Sequence, residues 1–198
     1  MKFKTVMKYI GNYVRENCER IDENDVRKLL EIMMNTIDQY KKIMIIGAGR
    51  SGLIGKAFAM RLMHLGFNVY VIGETITPRI NKGDIIIAIS GSGSTELVIT
   101  AAATAKKIGA KIIAITSYPD SPLGKIADHI IYVPGRTKVS LEKNFISRQI
   151  LGLHEPLAPL GTLFEIMTMV FLDSVIVELM NRLGVTEEDM YRRHANIE

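Results

Sequence analysis

The chain alternates short, continuously apolar runs with longer stretches of helical periodicity, and that alternation restricts the possible folds more than any other feature. Five runs have strand length: Ile43–Ile46, Asn68–Ile72, Asp84–Ile89, Lys111–Thr116 and His129–Val133. Helix-like stretches lie between them at 51–65, 94–108 and, more briefly, 121–127. Two helical segments come first, 4–17 and 23–40, with Asp22 or Asn24 as the candidate cap of the second. Strands that are apolar throughout, rather than at every other residue, are covered on both faces. Strands alternating with helices therefore predict a parallel sheet inside a three-layer α/β/α sandwich with right-handed crossovers. Thr162 opens a long helix that runs to about Leu183 and ends at Gly184. Thr186 starts a last short helix into Tyr191-Arg-Arg-His194.

At 198 residues the chain is expected to form one domain, large enough to bury roughly 70% of its unfolded surface. Its parts are N-terminal helices at 1–40, an α/β core at 41–134, a long loop at 135–161 and C-terminal helices at 162–198. A loop of that length in a compact domain is usually functional or interfacial. The apolar share of 47% and charged share of 23% are those of an ordinary globular protein. No apolar run reaches the ~18 to 20 residues of a membrane span, and the first twenty residues lack a signal-peptide core. A single cysteine, Cys18, excludes an internal disulfide and fits a cytoplasmic location. The net charge of +4 is modest, and the basic residues are scattered. No nucleic-acid partner is expected; an anionic metabolite fits the charge equally well. No cluster of His, Cys, Asp and Glu has metal-ligand spacing, so no metal is expected.

Two Gly-rich turns follow strands. The first, Gly47-Ala-Gly-Arg-Ser-Gly52, is formally a G-x-G-x-x-G, and Glu74 lies 22 residues past Gly52 where a dinucleotide fold places its ribose acid. The second, Ser90-Gly-Ser-Gly-Ser-Thr-Glu96, offers four hydroxyls where a turn needs none. With strand order 2-1-3-4-5, strands 1 and 3 are neighbours whose connections leave in opposite directions, and both turns face the crevice at their carboxyl ends. Backbone N–H groups from Gly91 to Ser94 at a helix N-terminus favour an anion. Hydroxyls of Ser90, Ser92 and Thr95 can each add a hydrogen bond, worth roughly 1.5–3 kcal/mol to a charged group. The stretch reads as a cradle for a phosphomonoester, with Gly91 and Gly93 letting the backbone approach. The plainer alternative is that Ser94 or Thr95 caps a helix. Arg50 is a candidate for phosphate or a substrate hydroxyl, or for simple solvation. Gly49 and Ser51 share its loop, and Thr75 and Thr77 follow the second strand within reach of a sugar chain.

These residues carry a resemblance. Gly47–Gly52, Phe58-Ala-Met-Arg-Leu-Met-His-Leu-Gly66, Gly73-Glu-Thr-Ile-Thr-Pro78, Ser90–Glu96, Pro159-Leu-Gly-Thr-Leu-Phe-Glu165 and the closing Arg193-His194 resemble the SIS-domain (sugar isomerase) family. They are most similar to its branch acting on 3-ketohexose 6-phosphates. The resemblance implies a flavodoxin-like SIS fold with a five-stranded parallel sheet in the order 2-1-3-4-5. It implies interconversion of D-arabino-3-hexulose 6-phosphate and D-fructose 6-phosphate through a cis-enediol, without metal or cofactor. Residues 136–158 depart from the family by their length.

The chemistry needs a base beside the migrating carbonyl. Glu165 matches the catalytic glutamate of SIS isomerases, although Thr162-x-x-Glu165 also reads as a capping box; Glu96 and Glu74 follow as candidates. His64, inside a helix, reads as a core residue. The resemblance brings His194 into a neighbouring subunit's site. Closed fructose 6-phosphate must open, and an imidazole can give and take a proton near neutral pH. The helix from 163 to 183 is apolar nearly all round and predicts a homo-oligomer, a dimer or tetramer. Two other readings stay open: a non-catalytic sugar-phosphate sensor, which needs the hydroxyl loop but no base, and a dinucleotide-dependent oxidoreductase.

Overall fold

The computed structural model describes residues 1–135 and 157–197. The long loop expected at 135–161 falls largely on residues outside that set. Five parallel strands form one sheet: β1 (Ile43–Gly47), β2 (Val69–Val71), β3 (Ile85–Ile89), β4 (Lys111–Thr116) and β5 (His129–Tyr132), in the order β2-β1-β3-β4-β5. The expected strand order is the observed one. The helices are α1 (Phe3–Asn17), α2 (Glu23–Asp38), α3 (Gly49–Leu65), α4 (Glu96–Ile108), α5 (Pro122–Ile126), α6 (Thr162–Leu183) and α7 (Glu187–Arg193).

Alternate strand residues serve opposite layers. Ile43, Ile45, Ile85, Ile87, Ile113 and Ile115 face a core shared with α1, α2, α3 and α6. Met44, Ile46, Ile86, Ala88, Ile112 and Ala114 face a thinner core built with α4 and α5. Each such isoleucine is essentially excluded from water, worth about 1.5–3 kcal/mol per side chain. Small residues on α4, Ala102 and Ala105, let that helix lie close to the sheet. Local signals set the ends. Asp22, rather than Asn24, caps α2, accepting from the N–H groups of Asn24 and Asp25. Thr186 caps α7 and is completed by Asp189 in a reciprocal capping box, a partner the sequence reading did not name.

One charged group is built into the amino end of the sheet. Asp84 is 1% exposed. Its carboxylate accepts from the N–H groups of Lys42 at 3.0 Å and Asn81 at 2.7 Å, and pairs with the Lys42 ammonium at 3.0 Å. It thereby holds the start of β3 to the start of β1. Burial pushes the Asp84 carboxyl pKa up, but these hydrogen bonds and the Lys42 charge outweigh it and leave it below the ordinary aspartate value. A depressed folded pKa contributes stability above the unfolded value, near 3.9, and loses it as pH falls through the folded one. Asp84→Asn is therefore expected to lower stability at neutral pH by about 1–3 kcal/mol. Denaturant curves should show the gap between variant and parent closing as pH drops below about 4. A gap that persists unchanged into acid would contradict the assignment.

Candidate active site

β1 and β3 lie side by side with Gly47 opposite Ile89, so both strands stop at the same level. α3 then leaves toward one layer and α4 toward the other, and the gap between the departing chains cannot be closed by either helix. A cavity of about 520 Å³ opens there. Its walls come from Ala48 to Ser51, from Ile89 to Ser92 with Thr95, from Ser117 and Tyr118 after β4, from Gly135, and from Leu160, Gly161, Phe164 and Glu165 at the start of α6.

The hydroxyl-rich loop is folded largely by its own side chains. Ser90 is buried; its Oγ accepts from Gly93 N–H at 3.1 Å and shares a hydrogen bond with Thr95 Oγ1 at 2.9 Å. Gly93 supplies the positive φ of +63° that this turn requires. Ser92 Oγ accepts from the N–H and the hydroxyl of Ser94, at 3.2 and 3.0 Å. Thr95 occupies the N-cap position of α4 but makes no side-chain cap bond; its hydroxyl goes to Ser90 instead, so the plain capping alternative does not describe it. Among the described residues, no acceptor takes the N–H groups of Ser92, Thr95, Glu96 or Leu97. They are the unsatisfied donors of a helix N-terminus, next to the cavity. Gly91 meets the Phe164 ring: a Cβ there would lie 2.8 Å from Cδ1, so this contact excludes any larger residue.

Glu165 stands in the first turn of α6. The capping box that Thr162-x-x-Glu165 also allows does not form: Gly161 holds the N-cap position, and the Thr162 hydroxyl donates to the Pro159 carbonyl at 2.6 Å. The glutamate turns instead to Arg50, whose Nε lies 2.6 Å from Oε2. That contact is an ion pair without a well-directed hydrogen bond, and Oε2 has no hydrogen-bond donor among the described residues. The Glu165 side chain is 13% exposed and that of Arg50 61%. Burial raises the Glu165 pKa above the ordinary glutamate value, with the Arg50 charge opposing it.

Of the residues expected at the site, Gly49, Arg50, Ser51, Ser90, Gly91, Ser92, Thr95 and Glu165 line one cavity. Gly93 sits behind the loop and shapes it. Thr75 is exposed, and Thr77 donates its hydroxyl to the carbonyls of Val71 and Glu74, each at 2.7 Å; neither lines the cavity. His194 is at the far end of α3, its ring beside that of His64, and α3 spans about 25 Å. Glu96 accepts from Thr100, and Glu74 pairs with Lys56. Neither lines the cavity, so Glu165 is the one carboxylate among its described residues. Ser117 and Tyr118 were not foreseen, although Ser117 directly follows the strand next to β3. Gly135 and Phe164 reach the cavity through tertiary packing alone. No group of three or more His, Cys, Asp or Glu able to hold a metal occurs among the described residues.

The SIS domain family model matches residues 36–149. An uncharacterized protein of Aeropyrum pernix is 55% identical over 196 residues, spanning 99% of this chain and 92% of its own. A Bacillus subtilis protein named 3-hexulose-6-phosphate isomerase is 38% identical over 198 residues, all of both chains. A crystal structure of a Methanococcus jannaschii protein, described as inferring a function of 3-hexulose-6-phosphate isomerase, superposes with a TM-score of 0.78 at 38% identity. It covers 97% of this chain and 98% of its own.

The contest between burial and Arg50 at Glu165 is directly measurable. Arg50→Met removes the opposing cation and leaves the burial, so the Glu165 carboxyl should titrate higher than in the parent when followed by side-chain carbon NMR. A titration unmoved or moved downward would break the electrostatic account of this pair.

Proposed function

The chain belongs to the SIS domain family and is a phosphosugar isomerase, and from that premise we propose that it interconverts D-arabino-3-hexulose 6-phosphate and D-fructose 6-phosphate through a cis-enediol. The observation that carries the reading is the meeting of an anion cradle and one half-buried carboxylate in a single cavity. Phosphate occupies the loop from Ser90 to Thr95, taking the free N–H groups and the remaining hydroxyl donors. Glu165 removes the proton from the carbon beside the carbonyl. The electron pair forms the enediolate, the proton of the carbon-2 hydroxyl passes to the carbon-3 oxygen, and Glu165 returns its own proton to carbon 3 as the carbon-2 carbonyl forms. Substrate and product are isomers, so atoms and electrons balance without a redox partner, and we assign no cofactor. A carboxylate whose pKa is raised toward the working pH is a better base, and such transfers contribute about 10²- to 10⁴-fold. Arg50, with its Nε on Glu165, is placed to keep the base ionised and to stabilise charge on the enediolate.

His194 cannot serve the cavity of its own chain across the length of α3. We assign it to ring opening in the site of a second copy. Leu53 on α3 with Met169, Val170 and Val177 on α6 are exposed apolar residues, and a further hollow lined by Leu53, Ile54, Ile166 and Met169 adjoins Arg50 and Glu165. An apolar surface at the mouth of the site supports a homo-oligomer, which we read as a tetramer built from dimers. The whole chain is taken as one domain acting in the cytoplasm; no helix among the described residues is long and apolar enough to cross a membrane.

The deciding experiment is a coupled assay for fructose 6-phosphate from enzymically prepared 3-hexulose 6-phosphate. Glu165→Gln keeps the shape but cannot take a proton, so kcat should fall by about 10²-fold or more while substrate binding persists. Near-parental turnover in this variant would remove Glu165 from the chemistry, and failure of the parent enzyme in the assay would overturn the substrate.

A further inference from the structure

The carboxyl end of α3 holds an arrangement for which the cavity has no use. His64, in the last turn, is 2% exposed. Its ring centroid lies 5.1 Å from that of His194, with 37° between the planes. Its backbone carbonyl accepts from Arg193 Nη1 at 2.9 Å. α3 ends at Gly66, with φ at +93°, and a Cβ built there would lie 3.1 Å from the same Nη1. The carbonyl end of a helix carries partial negative charge and unsatisfied acceptors; here a guanidinium lies over it, and the bare glycine leaves room. The geometry departs from an ordinary helix end in that the arginine comes from a distant element and is immediately followed by the histidine whose ring lies tilted against the same turn.

α7 needs such an anchor. It has seven residues, and a helix that short does not hold itself together in water. Its capping box fixes its start, and Met190 is its one buried residue. His194 lies beyond the last turn with extended backbone, φ −70° and ψ 147°, so helix geometry does not place its ring. The ring is placed by its contact with His64, by Arg193's bond to the α3 terminus and by a 2.9 Å contact of its Nδ1 with the Ala195 carbonyl.

We propose that His64, its carbonyl and the space above Gly66 form a seat that acts through Arg193 to hold His194 in the pose a second copy of this chain uses. The inference rests on the reading of His194 as the ring-opening group of a neighbouring site. Arg193 and His64 are positioning residues, since neither touches substrate. A misplacement of 1 Å at a reacting group can lower rate by about 10²-fold, so loss of the seat should resemble loss of the imidazole.

The test is a cycle on full-length protein, with kcat and KM for fructose 6-phosphate measured for His194→Ala, Arg193→Met, Arg193→Lys and the double variant, beside thermal unfolding of each. His194→Ala and Arg193→Met are each expected to lower kcat by about 10²-fold with KM little changed. Arg193→Lys, which can still donate to the His64 carbonyl, should recover most of the loss, and the double variant should be no slower than His194→Ala alone. Parental kcat in Arg193→Met, or a further equal loss when it is combined with His194→Ala, would overturn the seat while leaving His194 in place. Parental turnover in His194→Ala would instead overturn the role of His194, and this inference with it. Arg193→Gln, which shortens and neutralises the side chain at the same exposed position, carries the same comparison if Arg193→Met does not fold.

Discussion

The in-register pairing of β1 with β3, from Ile43 opposite Ile85 to Gly47 opposite Ile89, governs where everything else in the molecule can go. Both strands are apolar on both faces, so both faces must be covered. Covering them with right-handed crossovers sends α3 and α4 to opposite layers. Two neighbouring strands then end level with nothing above them, and the polar turns at 48–51 and 90–95 meet across the gap. Asp84 and Lys42 fix the same pair at its other end. The site is therefore a by-product of sheet packing that the sequence has furnished with donors and one acid.

The electrostatics of that site are divided along its length. One side presents N–H groups and hydroxyls and no carboxylate; the other presents Glu165, raised by burial and restrained by Arg50. A dianionic ligand placed against the first side keeps its charge away from the second. Phe164 separates the two by packing on Gly91, which keeps the base and the cradle at a fixed spacing. The proposed reaction, at carbons 2 and 3 with phosphate on oxygen 6, calls for such a spacing.

Features decided by short-range pattern were legible in the sequence. The isoleucine runs announced buried strands, the gap between the two Gly-rich turns announced a crevice, and Asp22, Gly184 and Thr186 marked helix ends. Where one residue allowed two readings, the choice fell to partners that the local pattern does not name. Thr162 and Glu165 satisfy the capping-box pattern, yet Arg50, on another helix, captures the carboxylate and Pro159 captures the hydroxyl. Thr95 reads as a cap and is drawn to Ser90. Thr77 reads as a ligand group and is bound to its own turn. Gly135 and Phe164 belong to the cavity only because Phe164, at the start of α6, packs against Gly91 and Gly135, information that no window of the sequence contains.

The self-bonded loop at Ser90 to Thr95 has a kinetic meaning. Ser90, Ser92 and Gly93 hold it closed by hydrogen bonds internal to the protein, so its conformational freedom was surrendered when the chain folded. A phosphate seated there, as we propose, would meet a finished surface and need neither select a rare open form nor wait for a loop to order. Encounter and capture would then merge into one step, with little of each hydrogen bond's strength consumed in arranging the host.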